Sequence, residues 1–499
     1  MGTTWAASVA CVAVIASGAA ACSDSAPARA QLVIVVDTDA HVVGELESNL
    51  AVSPDSAIDT LRVDVFDAQN NLVDLRTFVV ADPASWPLSF GIEPSPSLGS
   101  EVRVQIRGFR ALFSATGTAS NGAATLDPPS QVTLDRLVAV PLPSSGIQYV
   151  SVTLQTDCMG TPSGFGSPLT TCIAAGQLAG DPHTGITTSS SSPTAPSSVS
   201  TWAPAVEVPC NATPASHEVC IPGGFFILGD LDAVGDGQTT AYETAPLHPV
   251  IVSPFLLDEY EFTVGKLRTL FNAGSLSSAM MPTPATPSDP YNQFCTWLGK
   301  DVATNDDLPI NCVPFATAQA ACALAVGGAG HGVLPTEAQW EYAARGRGQR
   351  LRYPWGNTEP QCCSASIDRA GPPGIPTLCT GSGLEPVGSH PLSPTCTGTD
   401  AAGVSTIMGD VTHDGVFDMA GSVSEALGDF EQSYAPPSCW STQPILTDPV
   451  CQASNAAYAM RGSNWNGGMA TAFLPLRDSA TGAGQPTAGF RCAYADTTP

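Results

Sequence analysis

The chain has 499 residues, 18 of them basic and 45 acidic, for a formal net charge of −27. Both halves are acidic and no basic arm or patch interrupts them, so no nucleic-acid partner is expected. Apolar residues make up 43% of the chain, which excludes global disorder, and at roughly 100–200 residues per domain two or three domains fit.

The N-terminus bears on location. Residues 9–21 are small and apolar and end Ala19-Ala20-Ala21-Cys22. The run is too short to anchor a mature protein across a bilayer. It resembles a bacterial lipoprotein signal, in which small residues precede a cysteine that becomes lipidated and N-terminal. A signal peptide over 1–21 and a lipid on Cys22 are therefore expected, with an ordinary secretory signal cut near Ala21 as the alternative. Ser23 carries no inner-membrane retention signal, so the outer membrane is the expected location if the source has one. Cysteine usage agrees with export. The chain has 16 cysteines and no C-x-x-C pair, which disfavours a zinc ribbon. Cys158/Cys172, Cys210/Cys220 and Cys439/Cys451 lie close together in Gly/Pro/Ser-rich stretches and read as disulfides of an oxidising compartment.

Residues 22–156 read as an all-β domain. Leu61-Arg62-Val63-Asp64-Val65 and Val102-Arg103-Val104-Gln105-Ile106-Arg107 alternate strictly. Gln31–Asp37, Leu72–Val80, Gln131–Val140 and Tyr149–Leu154 are further strand candidates between turn clusters. Short alternating strands of this kind predict a β-sandwich of about seven strands. Residues 157–208 read as a Ser/Thr/Pro-rich linker, with 187–198 expected to stay extended or disordered.

From Cys220 the composition shifts to tryptophans, glycines and short helices. The sharpest signal is Leu334-Pro335-Thr336-Glu337-Ala338-Gln339-Trp340-Glu341-Tyr342-Ala343-Ala344-Arg345-Gly346. Thr336 and Gln339 fit a capping box, while Glu337 in the first turn and Arg345 in the last suit the helix dipole. Followed by Tyr353-Pro354-Trp355-Gly356-Asn357, this string closely resembles the formylglycine-generating enzyme (sulfatase-modifying factor) family. Further blocks follow the same order: Ile221–Gly229, Pro246–Phe255, Glu261–Val264, Phe315–Cys322 (with Phe315 where Trp is usual), Asp418–Glu425 (with Ser422 for Asn), Arg461–Trp465 and Gly489–Cys492. The resemblance covers about residues 220–495, within a domain spanning 209–499. It implies an α+β domain with little regular structure, distantly like a C-type lectin domain.

The resemblance also implies a chemistry. Family members oxidise a sulfatase cysteine to formylglycine with O₂ and copper(I), held by two cysteines shortly after R-G-G-S-W. Two soft thiolates suit Cu(I). In this sequence those positions fall near Gly467 and Ala472, and no cysteine lies between Cys451 and Cys492. No catalytic residue and no copper are therefore expected. The resemblance further implies a Cys322–Cys492 disulfide. Cys295 and Cys312 are a further candidate pair, and Cys362, Cys363, Cys379 and Cys396 allow three pairings. The resemblance also allows a calcium site at Asp414 and Asp418, because some relatives bind calcium before D-M-x-G, with a solvated acidic turn as the alternative. The seven histidines are scattered, without H-E-x-x-H, and neither G-x-S-x-G nor a P-loop occurs. Glu425 persists without the family's flanking tryptophans, which argues for a structural role. The leading expectation is a binding or structural module with a groove around Arg461, Asn464 and Trp465 for a protein, peptide or glycan of the cell envelope. An oxidase, or a related enzyme with another site, is the alternative.

Overall fold

The computed structural model describes residues 29–496 except 43–55, 121, 123, 175, 231–243, 329, 372–376, 401–402 and 453–456. The signal segment 1–21 and Cys22 lie outside the described residues.

The first unit contains, in chain order, β1 (Gln31–Thr38), β2 (Thr60–Phe66), β3 (Leu72–Val79), β4 (Leu88–Ile92), β5 (Glu101–Phe109), β6 (Ala115–Thr118), β7 (Ala124–Asp127), β8 (Leu134–Pro141), β9 (Ile147–Leu154), β10 (Thr171–Ala174), β11 (Gln177–Ala179) and β12 (Ile186–Ser189). Two four-stranded sheets, ordered β12-β9-β1-β4 and β3-β2-β5-β8, share one core. Strict alternation is the cause: Val102, Val104 and Ile106 of β5 and Leu61, Val63 and Val65 of β2 all point into that core. The other face of β2 is buried as well. Arg62 pairs with Asp64 at 2.9 Å and with Asp127 of β7 at 2.5 Å, so the β6-β7 hairpin covers charges that pair with one another.

The stretch read as a linker behaves differently. Ile186–Ser189 adds to the edge of β9 as an antiparallel strand. Ser197 Oγ and Ser198 N donate to the Asp37 carboxylate at 2.5 and 2.7 Å. Trp202 and Ala205 join the sandwich core. Its composition is poor in apolar residues, but a sheet edge recruits backbone groups, and an acidic side chain recruits hydroxyls. Neither requires apolar side chains.

The second unit has three helices among the described residues, Val264–Asn272, Phe315–Leu324 and Glu337–Ala344. Its strands are β13 (Glu218–Ile221), β14 (Gly224–Leu228), β15 (His248–Val252), β16 (Phe255–Asp258), β17 (Val326–Gly327), β18 (Gly330–His331), β19 (Ser393–Thr399), β20 (Ser405–Met408), β21 (Ser424–Phe430), β22 (Leu446–Thr447), β23 (Tyr458–Arg461), β24 (Arg477–Ala480), β25 (Ala488–Gly489) and β26 (Ala493–Ala495). They form small sheets, chiefly β13-β16-β26, β14-β15-β22 and β24-β23-β21-β25. Helix Glu337–Ala344 has the expected capping box and buries Trp340 in the core shared with β14, β15 and β21. The units meet where Phe225 of β14 enters the sandwich core, its ring 5.1 Å from that of Trp202.

Seven disulfides join 158–172, 210–220, 295–312, 322–492, 362–379, 363–396 and 439–451. This choice among the three open pairings gives Cys362 and Cys363 different partners. Every cysteine other than Cys11 and Cys22 is thereby paired, which points to a protein outside the cytoplasm. No described helix is long and apolar enough to cross a membrane.

Candidate functional site

The segment that follows β23 starts from a buried ion network. Arg461 meets Glu337 at 2.9 Å, Glu341 at 2.8 Å and the Tyr434 hydroxyl at 2.6 Å. Arg477 of β24 meets Glu337 at 2.5 Å, and Arg345 meets Glu341 at 2.7 Å. Burial opposes ionisation of Glu337, but Arg477 and Arg461 outweigh it and hold its carboxyl below the usual range. A second buried pair, Arg491 and Glu425, meets at 2.6 Å, and Glu425 also accepts from Trp340 Nε1 at 3.0 Å. Glu425 thus has the structural role its isolation suggested.

Arg461 and Trp465 do not line an open groove, contrary to expectation. Both are fully buried. Arg461 is neutralised within the network, and Trp465 donates to the Pro486 carbonyl at 3.0 Å beside Phe294. Asn464, half-buried, donates to Ser424 Oγ at 3.2 Å. An arginine and a tryptophan close together in sequence suggest a surface for recognition, but partners distant in the chain take both inside.

Beyond Trp465 the chain turns at Gly467. A Cβ built there would stand 2.5 Å from Ser463 Oγ and 2.6 Å from Thr471 Oγ1, hydroxyls that are themselves 2.5 Å apart. Ala472 is buried in a small core with Tyr353, Trp355 and Ile367. The segment is covered by a neighbouring strand of loop: Asp368 N and Arg369 N donate to the carbonyls of Gly467 and Trp465 at 2.7 and 2.8 Å. The donor set for copper(I) does not fit, because no thiol is present and the space of the first side chain is filled by hydroxyls.

Asp414 and Asp418 do not converge either. Asp414 is taken by Arg347 at 2.6 Å, whereas Asp418 is buried and accepts from Gly388 N at 2.7 Å. Among the described residues, no three His, Cys, Asp or Glu side chains gather to hold a metal. The calcium expectation therefore does not fit this pair. Asp418 instead adjoins buried Asp410. Burial, and for Asp410 also the neighbouring Asp418, raises their carboxyls to about 6 and about 7.

One arrangement escaped sequence reading. His390 Nε2 faces Glu385 at 2.9 Å, its Nδ1 faces the Cys363 carbonyl at 3.1 Å, and Glu385 also meets Arg369 at 2.8 Å. Both ring nitrogens face acceptors, which only the doubly protonated imidazolium satisfies. Burial opposes that charge, but the Glu385 and Cys363 contacts raise the His390 pKa. The ring is a pin between loops and not a free base. A five-residue spacing within a loop gave no signal for it.

The family profile described as "Sulfatase-modifying factor enzyme 1-like domain" (FGE-sulfatase) matches residues 205–496, more than half of the chain. The chain belongs to this family. Formylglycine-generating enzyme from Streptomyces coelicolor is 29% identical over 166 residues, 28% of this chain and 50% of that protein, so the chain spans about half the length of that curated relative. Among solved structures, PvdO from Pseudomonas aeruginosa is 20% identical with a TM-score of 0.40, covering 58% of this chain and 98% of its own. Treponema denticola variable protein 1 is 16% identical with a TM-score of 0.38, covering 57% and 99%.

Proposed function

We propose that this is an exported protein whose FGE-sulfatase domain binds a protein, peptide or glycan of the cell envelope and does not carry out the family's oxidation. The observation that supports this reading most is the segment after Trp465. Glycine and alanine stand where the resemblance places the copper-holding cysteines, and Ser463 and Thr471 occupy the space a side chain at 467 would need. The described cysteines are all in disulfides and offer no thiolate elsewhere. A Cu(I) competition titration under non-reducing conditions tests this directly. The expected result is no tight copper binding, and one copper held tightly per chain overturns the reading.

Cys22 is proposed to carry a lipid that anchors the protein to the outer membrane, if the source has one. Growth with a labelled fatty acid should tag the wild type, and Cys22→Ala should abolish the label. An unlabelled wild type would leave a plain secreted protein.

A further inference from the structure

Between the two units lies a cleft of about 550 Å³, within the range of small-ligand sites. It shares no residue with the segment after Trp465. One wall is the loop closed by Cys158–Cys172, and the other is the loop closed by Cys439–Cys451. The walls touch at one end, where a Cβ on Gly160 would stand 3.1 Å from Pro444. Both walls are covalently closed, so little loop entropy remains to be lost on binding.

We propose that this cleft binds a neutral oligosaccharide. The proposal deepens the binding reading above and rests on it. Ile251, Ile445 and Pro444 give the cleft an apolar floor, and only an edge of the core residue Trp202 reaches it. Trp202 is fixed by its Nε1 bond to Asp157 Oδ1 at 2.8 Å and by the edge-on ring of Phe225. Around that floor stand the side chains of Asp157, Gln177, Gln443 and Thr447. The two amides and the threonine are exposed, and none of the three side chains hydrogen-bonds to another described residue. Amides and a hydroxyl both give to and take from vicinal hydroxyls, and a carboxylate takes from them, while Ile251, Pro444 and Ile445 offer aliphatic surface for the C–H groups of a sugar ring beside the edge of the buried Trp202 indole. No lysine, arginine or histidine lines the cleft, and the chain carries a net −27, so phosphorylated or acidic ligands are disfavoured. A peptide is the competing occupant, and the test separates the two.

The full exported chain is titrated calorimetrically with malto-, cello-, xylo- and chito-hexaose, and separately with an uncharged decapeptide. Two variants accompany it: the pair Gln177→Ala with Gln443→Ala, and Thr447→Trp, which fills the cleft from an exposed position. The proposal expects one sugar series to bind, the double variant to weaken it about tenfold or more, and Thr447→Trp to abolish it, with melting temperatures unchanged. Failure of every sugar series to bind at millimolar concentration overturns the proposal. Sugar binding indifferent to both variants also overturns it, because the sugar then sits elsewhere. Peptide binding blocked by Thr447→Trp, without sugar binding, overturns the ligand class and leaves the binding reading standing. Aldehyde formation on a sulfatase-type peptide would instead count against that reading itself.

Discussion

Arg461 is held by two carboxylates and a phenol in a site closed to solvent. Removing one member of such a network leaves uncompensated buried charge. Arg461→Met should therefore destabilise the protein by about 3–5 kcal/mol, read as a lower urea midpoint with unchanged slope. An effect below about 1 kcal/mol would mean that solvent reaches the pair. Glu337 shows how far local sequence carries. It reads as a first-turn acid suited to the helix dipole, and it does occupy the first turn. Its partners Arg461 and Arg477 lie 124 and 140 residues away, beyond the reach of any local pattern. Gly467 is the opposite case. The missing thiol was visible in the sequence, but the filled space was not. Gly467→Cys with Ala472→Cys should therefore fail to create a tight copper site, because Ser463 and Thr471 would have to move first. A stoichiometric Cu(I) complex of that variant would show that the missing sulfurs were the only obstacle.

Two elements show what composition hides. The six strand candidates of the sandwich, two of them read from strict alternation, are present, with ends that differ by a few residues. Leu88–Ile92 and Ile186–Ser189 were not anticipated, because tertiary pairing selects an edge strand more than its own residues do. Amides of Ile186–Ser189 should accordingly be protected in hydrogen exchange, whereas a disordered linker would exchange at once. Helix Phe315–Leu324 is tied by Cys322 to Cys492, across 170 residues. Chain entropy favours such a closure by about 3–5 kcal/mol. Cys322→Ala with Cys492→Ala should lower the melting temperature of the second unit, with little effect on the sandwich core. Equal loss in both units would mean that the two melt as one. The pairing was legible only through family resemblance, since the spacing alone leaves every partner open.

Across the whole molecule, buried acids set the pH response. Burial raises Asp410 and Asp429 to about 7 and Asp418 to about 6, and the fold also favours protonated His390. A group raised in the folded state contributes stability at low pH, and that contribution is lost as pH rises through its folded pKa. Glu337 and Glu385 are lowered, so their contribution is lost only in stronger acid. Buried His248, whose pKa burial lowers, acts in the opposite sense as pH falls, but the three raised acids and His390 outnumber it, so thermal stability should be greater near about pH 5.5 than near about pH 8. A flat profile would mean that these acids are hydrated. The overall plan, a β-rich unit followed by an FGE-sulfatase domain, was legible from alternation and ordered motifs. The contact between the units was not, because Trp202 and Phe225 stand in unrelated sequence contexts and meet only in the folded chain. The domain belongs to the FGE-sulfatase family, and the loss of the family's oxidation is what we propose. Incubation with copper, O₂ and a peptide bearing a C-x-P-x-R segment tests it most directly, with an aldehyde-reactive probe as readout. No aldehyde above a no-protein control is expected; turnover above that control would show that the domain carries out the oxidation.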